Sequence, residues 1–149
     1  MERKSIFDAD EYHSIRQRIE QLKPGSVRLW GKMNAAQMLA HACVPLEAGL
    51  GRIALPPEGN FITRPLLKWY VLRSREFQRN LPTSKKFVVP DERDFEREKA
   101  RLLDDLDEAF RRGMAGPWAK HNMFGELAPE QWGTLTWAHL DHHLRQFSV

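Results

Sequence analysis

Apolar residues recur every three to four positions in five stretches of this chain, and no run alternates apolar and polar residues two by two. The first spacing builds helices with one apolar face and the second builds half-buried strands, so the pattern predicts an all-helical fold. Proline and glycine punctuate the stretches. The first helix is expected from about Asp8 to Leu22, with Tyr12, Ile15, Ile19 and Leu22 as its stripe and Pro24-Gly25 as its stop. Asn34 and Gln37 have the three-residue spacing of a capping box, which opens a second helix running through Met38, Leu39, Ala42, Cys43 and Leu46 to Gly49. Pro45 lies inside it and removes the bond its amide would give to the carbonyl of His41. Thr63 is expected to cap a third helix opening at Arg64-Pro65, and Lys85 to Val89 reads as a short extended piece. Asp91 opens a fourth helix that closes at Arg111-Arg112-Gly113, and Pro129 opens the last, which runs to about Gln146.

The 149 residues fit a single domain, 1–149, with room for one core and not two. Lys and Arg number 23 against 20 Asp and Glu, a formal net charge of +3. That excess is small and interleaved with acids. The basic stretch of Arg73, Arg75, Arg79, Lys85 and Lys86 therefore reads as solvated surface, and no nucleic-acid partner is expected. No apolar run approaches the roughly 18–20 residues that cross a bilayer, so no membrane partner is expected either. No apolar segment follows the charged start, and a cytoplasmic location is the expectation. The single Cys43 excludes an internal disulfide and a cysteine-rich metal site. Any thiol chemistry must then use a thiol brought from outside.

Three of the six histidines fall between His139 and His143. His139 and His143 stand four apart, so both imidazoles share one helix face, one turn from each other. Two nitrogens at that spacing can hold one metal ion, and they can equally form a hydrogen-bonded core pair. Trp132, Leu135, Thr136 and Gln146 lie on the same face, which makes it the inward one; Ala138, Asp141 and Arg145 lie opposite and should meet solvent. His41 sits on a helix apolar on both sides, so it should be buried and is the candidate third ligand. Its own side of the helix carries Gln37, Val44 and Pro45, whereas Cys43 faces away with Leu39 and Leu46. His142 falls at the rim of the site; Gln146, Trp132 and Gln37 are candidates for its surroundings. His13 reads as solvated, and nothing in the sequence ties His121 to the site.

The stretch Trp30-Gly31-Lys32-Met33-Asn34-Ala35-Ala36-Gln37-Met38-Leu39-Ala40-His41 and the run from Trp132 to Phe147, above all His139-Leu140-Asp141-His142-His143-Leu144-Arg145-Gln146-Phe147, resemble the DinB-like superfamily, the YfiT-like metalloenzymes. Leu81-Pro82-Thr83-Ser84 and His121-Asn122-Met123-Phe124-Gly125 resemble a bacterial subfamily labelled as a domain of unknown function. The resemblance covers nearly the whole chain. It implies an up-down-down-up four-helix bundle with an additional short helix or long connecting loops. It further implies a divalent metal, zinc or nickel, held by one histidine of the second helix and two of the last, here His41, His139 and His143. Better-studied relatives use a low-molecular-weight thiol in transfer or isomerisation. The implied activity is a metal-dependent, thiol-dependent transferase on a small electrophilic substrate, with a non-catalytic metal- or ligand-binding bundle as the alternative. The expected partner is a small-molecule substrate, with a homodimer left open. Arg52, Arg64 and Lys120 are the cations considered for a thiol's carboxylates.

Overall fold

The computed structural model describes residues 3–74, 76–80 and 84–149. Met1, Glu2, Arg75, Leu81, Pro82 and Thr83 lie outside the described residues, and with them part of the basic stretch and of the Leu81–Ser84 motif. The protein is an all-helical bundle, with five α-helices and no strand among the described residues: α1 (Ala9–Gln21), α2 (Ala35–Leu50), α3 (Thr63–Arg73), α4 (Phe95–Arg112) and α5 (Pro129–Gln146). None of them is long and apolar enough to cross a membrane.

The local chemistry explains most of these boundaries. Asp8 caps α1 by accepting the amides of Asp10 and Glu11. Asn34 and Gln37 form the reciprocal capping box of α2: the Asn34 side chain accepts the Gln37 amide at 2.8 Å, and Gln37 Oε1 accepts the Asn34 amide at 3.0 Å. Gly51, at φ 76°, ends α2 in the left-handed conformation. Pro129 stands in the first turn of α5, where its missing amide costs nothing.

Four boundaries or faces differ from expectation. Thr63 is the first residue of α3 rather than its cap; in the turn before it Asn60 Oδ1 accepts the amides of both Ile62 and Thr63 at 2.9 Å. Asp91 does not open α4; Asp94 does, its side chain accepting the Arg97 amide. Lys85–Phe87 forms a single 3-10 turn, not an extended piece, since Ser84 Oγ takes the Lys86 amide and the Ser84 carbonyl takes that of Phe87. The outer face of α5, expected to meet solvent, is half-buried at Ala138, Asp141 and Arg145. Asp141 is held by Arg18 at 2.8 Å and by Arg145 at 3.0 Å.

The core lies between α1, α2, α4 and α5, with α2 and α4 packed along most of their length. Ile15, Ile19, Leu39, Leu46, Leu102, Leu106, Leu140 and Leu144 are all essentially inaccessible to solvent. Truncating one of them, such as Leu106→Ala, should cost about 2–5 kcal/mol, the combined loss of burial and of packing around a cavity. Charge is buried beside this core. Arg101 grips Glu47 with two bonds of 2.5 and 2.6 Å and also meets Glu98 at 2.9 Å, while Arg52 pairs with Asp104 and Asp105. By contrast α3 buries no residue, and Leu66 and Trp69 are more than half exposed. It stands apart from the four packed helices as one wall of the cavity described next.

Candidate metal centre

Three helical turns converge on one point. His41 comes from the middle of α2, and His139 and His143 come from successive turns of α5. One ring nitrogen from each lies within 4.8 Å of the other two. The ring centroids are 5.1 Å apart for His41 and His139, 4.7 Å for His41 and His143, and 4.8 Å for His139 and His143.

Hydrogen bonds fix which nitrogen of each ring is available. His41 Nδ1 is 2.7 Å from the Phe87 carbonyl, which can only accept, so Nδ1 carries the hydrogen and Nε2 the lone pair. Gln146 donates its amide N–H to the Trp30 carbonyl at 2.7 Å, which turns its oxygen toward His143 Nδ1 at 2.9 Å. His143 is thereby also protonated on Nδ1, with Nε2 free. His41 Nε2 lies 3.1 Å from His139 Nε2, and with His41 as acceptor His139 is the donor of that bond. Ligation by His139 requires only that its hydrogen move to Nδ1. Two of three rings thus present Nε2 lone pairs, oriented from behind by a carbonyl and an amide oxygen, the outer support usual for ligating histidines.

Burial keeps all three rings neutral. It pushes His143 down to about 3, helped by the field of His41 and opposed by the Gln146 bond. Burial also lowers His41, against the Phe87 carbonyl, and holds His139 well below the ordinary imidazole value, with His143 and His41 adding to the effect. The donor set therefore fits a divalent cation: three neutral imidazoles, two with a defined tautomer, and no competing carboxylate in the cluster.

The cluster opens on a cavity of about 680 Å³, within the range that holds drug-sized ligands. Its wall comes from α2, α3, α5, the Phe87–Val89 stretch and the His121–Phe124 loop, and Lys32 is the one formally charged side chain among its described lining residues. His142 lines it too, buried, with its ring against Trp30 at 5.7 Å and Phe77 at 6.0 Å, outside the three-nitrogen cluster. Burial and the nearby Arg145 lower its pKa. Trp132 is fully buried in the wall and packs onto Gly49 of α2 so closely that a Cβ there would lie 2.6 Å from its ring.

Other residues named from the sequence lie elsewhere. Gln37 is spent on the α2 cap and on the Asp91 carbonyl at 3.2 Å, away from the cavity lining. Arg52 is paired with Asp104 and Asp105, Lys120 is exposed beside Glu126, and Arg64 donates to the Asn122 carbonyl; none lines the cavity. His13 is exposed. Cys43 is fully buried, and burial with Asp105 beside it drives its thiol far above the ordinary value, so it is no nucleophile. The residue missed by sequence reasoning is His121, which lines the cavity. Its signal was the glycine four residues on: His121 and Gly125 close a tight loop through two backbone bonds of 2.8 Å, with Gly125 at φ 72°.

No curated protein and no solved structure matches the chain. A family described as "Protein of unknown function (DUF1569)" matches over residues 1–149, and the chain belongs to that family.

Proposed function

We propose that the chain is a divalent-metal-dependent enzyme, a branch of the DinB-like superfamily, that brings a low-molecular-weight thiol onto a small electrophilic substrate. The observation that carries this reading is the convergence of His41, His139 and His143 on the wall of a large apolar cavity, with two tautomers already set for ligation. Zinc or nickel suits such imidazole donors. When bound, an ion of this kind lowers the pKa of a thiol or water and stabilises the anion.

The chain's own residues supply the rest. Gln146 and the Phe87 carbonyl hold His143 and His41 in the ligating tautomer. The wall is mostly apolar, so an electrostatic contact made against it is less screened than in bulk water. Lys32 is the cation of the wall suited to a carboxylate of the thiol. The thiol comes from outside, because Cys43 is buried and held protonated. A non-catalytic bundle with a closed structural metal would need a fourth protein ligand. His142, the nearest candidate, lies against Trp30 and Phe77 rather than in the cluster. An up-down-down-up helix order, a cytoplasmic setting and a homodimer belong to the same proposal.

Metal analysis of protein purified without a histidine tag tests it. About one divalent ion per chain is expected, lost in His139→Ala and His143→Ala while the helical content stays. Absence of any bound ion after incubation with zinc or nickel sinks the reading. Thiol transfer is then assayed with glutathione and a chromogenic aryl halide, where His41→Ala should abolish turnover.

A further inference from the structure

His121 lines the same cavity as the imidazole cluster but takes no part in it. Its Nδ1 accepts two backbone amides, that of Met123 at 3.1 Å and that of Phe124 at 3.3 Å. A ring nitrogen that accepts N–H groups carries no hydrogen itself, so the proton of this neutral imidazole sits on Nε2. The ring cannot turn to change that. It is stacked on Phe124 at 4.4 Å and 17°, lies against Trp132 at 5.4 Å, and belongs to the loop closed by the His121–Gly125 bridge. Burial and the charge of Arg64 push its pKa down to about 4, which agrees with a neutral ring.

Nothing among the described residues accepts the Nε2–H. The indole N–H of Trp132, whose ring lies against His121, is buried without an acceptor among the described residues. This part of the wall therefore holds the Nε2–H of His121 beside the apolar side chains of Met123, Phe124, Leu135 and Val71. A donor set in a mostly apolar wall favours an occupant that covers it with an oxygen acceptor over one that covers it with carbon and leaves it unpaired. A carboxylate would also need a cation to accompany it into the cavity, and the lining offers Lys32 alone. A neutral carbonyl needs no more than the donor.

We propose that His121 is a binding residue that donates its Nε2–H to the carbonyl oxygen of an uncharged, otherwise apolar ligand held in this cavity. The inference deepens the proposed function by naming the class of electrophile, and it rests on that reading for the ligand's being a substrate. The subsite itself stands whether or not an ion is loaded.

Benzophenone and diphenylmethane are a suitable probe pair, since they share two phenyl rings and differ in a carbonyl in place of a methylene. Both are titrated by NMR into the full chain, metal-free and zinc-loaded. Benzophenone is expected to bind about five- to ten-fold more tightly in both forms, the worth of one buried hydrogen bond. It should move the imidazole ¹⁵N and ¹H resonances of His121 Nε2, which diphenylmethane should not. His121→Phe keeps the aromatic stack and removes the donor. It should bring the two ligands to equal affinity with diphenylmethane binding unchanged. Equal affinities in the unaltered protein, failure of both ligands to bind, a benzophenone advantage that survives His121→Phe, or ¹⁵N shifts that place the ring proton on Nδ1 each overturn the proposal. Where His121→Phe does not fold, the resonance shift in the unaltered chain decides. Loss of zinc binding with the benzophenone preference intact overturns the metal reading and leaves this subsite standing.

Discussion

Gln146 accepts the Nδ1–H of His143 at 2.9 Å while giving its own amide N–H to the Trp30 carbonyl at 2.7 Å. The second bond determines which end of the amide meets the imidazole, so the segment before α2 sets the tautomer of a histidine near the end of α5. Gln146→Leu removes that control. Its zinc affinity, measured by competition with a chromophoric chelator, should fall by about 10–100-fold, the usual loss when the partner behind a ligating histidine is removed. Gln146→Glu, which keeps an acceptor, should bind zinc at least as tightly as the unaltered protein.

Gly31 explains how the amide comes so near. It holds φ 82°, and a Cβ built on it would overlap Gln146 Nε2. Gly31→Ala should therefore lose about 1–2 kcal/mol from backbone strain alone. Thermal unfolding should show a fall of roughly 2–8 °C, with zinc affinity reduced alongside it because the Gln146 amide is displaced. An unchanged melting temperature would contradict the geometry at this turn.

His121 sets an acid limit on stability. Its folded pKa of about 4 lies below the ordinary 6.5. Between those values the unfolded chain binds more protons, so stability falls as pH drops from 6.5 to about 4. His121→Phe lacks this group. The difference in melting temperature between the two proteins should shift in favour of the variant across that window and be flat above pH 7.

Asp105 acts in the opposite direction. It is fully buried, and burial with Glu47 nearby raises its pKa from 3.8 to about 7, against the pull of Arg52 and Arg101. One of its oxygens is buried without a hydrogen-bond partner among the described residues. The folded state now binds the extra proton, so the contribution of Asp105 is present below pH 3.8 and is lost as pH rises through 7. Asp105→Asn should track the unaltered protein near pH 4 and gain on it steadily to pH 7.5, in melting curves taken at matched ionic strength.

How far the sequence alone foretold this structure depends on how local each signal was. The α2 capping box and the start of α5 at Pro129 are written in residues three apart or fewer, and both stand as expected. Helical spacing also put His139, His143, Trp132 and Gln146 on one face. The face opposite is only half open to solvent because Asp141 meets Arg18 across 123 positions of chain, a pairing no window reveals. His121 was left out for the same reason. Its loop is local, but its place in the cavity depends on Trp132 beside it and on Trp118 stacked behind that ring at 5.4 Å. The apolar run of α3 carries no local sign of which side is covered: Leu66 and Trp69 are more than half exposed, while Leu67, Tyr70 and Val71 line the cavity.

The Phe87 carbonyl that holds the proton of His41 belongs to the 3-10 turn Lys85–Phe87, and Phe87, Val88 and Val89 also touch whatever fills the cavity. Under the proposed function, one short segment would thus serve both the cation and the organic occupant. A guest that displaces this turn alters the basicity of His41, and linkage makes the effect mutual: the factor by which the guest changes ion affinity is the factor by which the ion changes guest affinity. With the Lys85–Phe87 turn shared in this way, neither dissociation constant would be a fixed property of the chain until the other site's occupancy is stated.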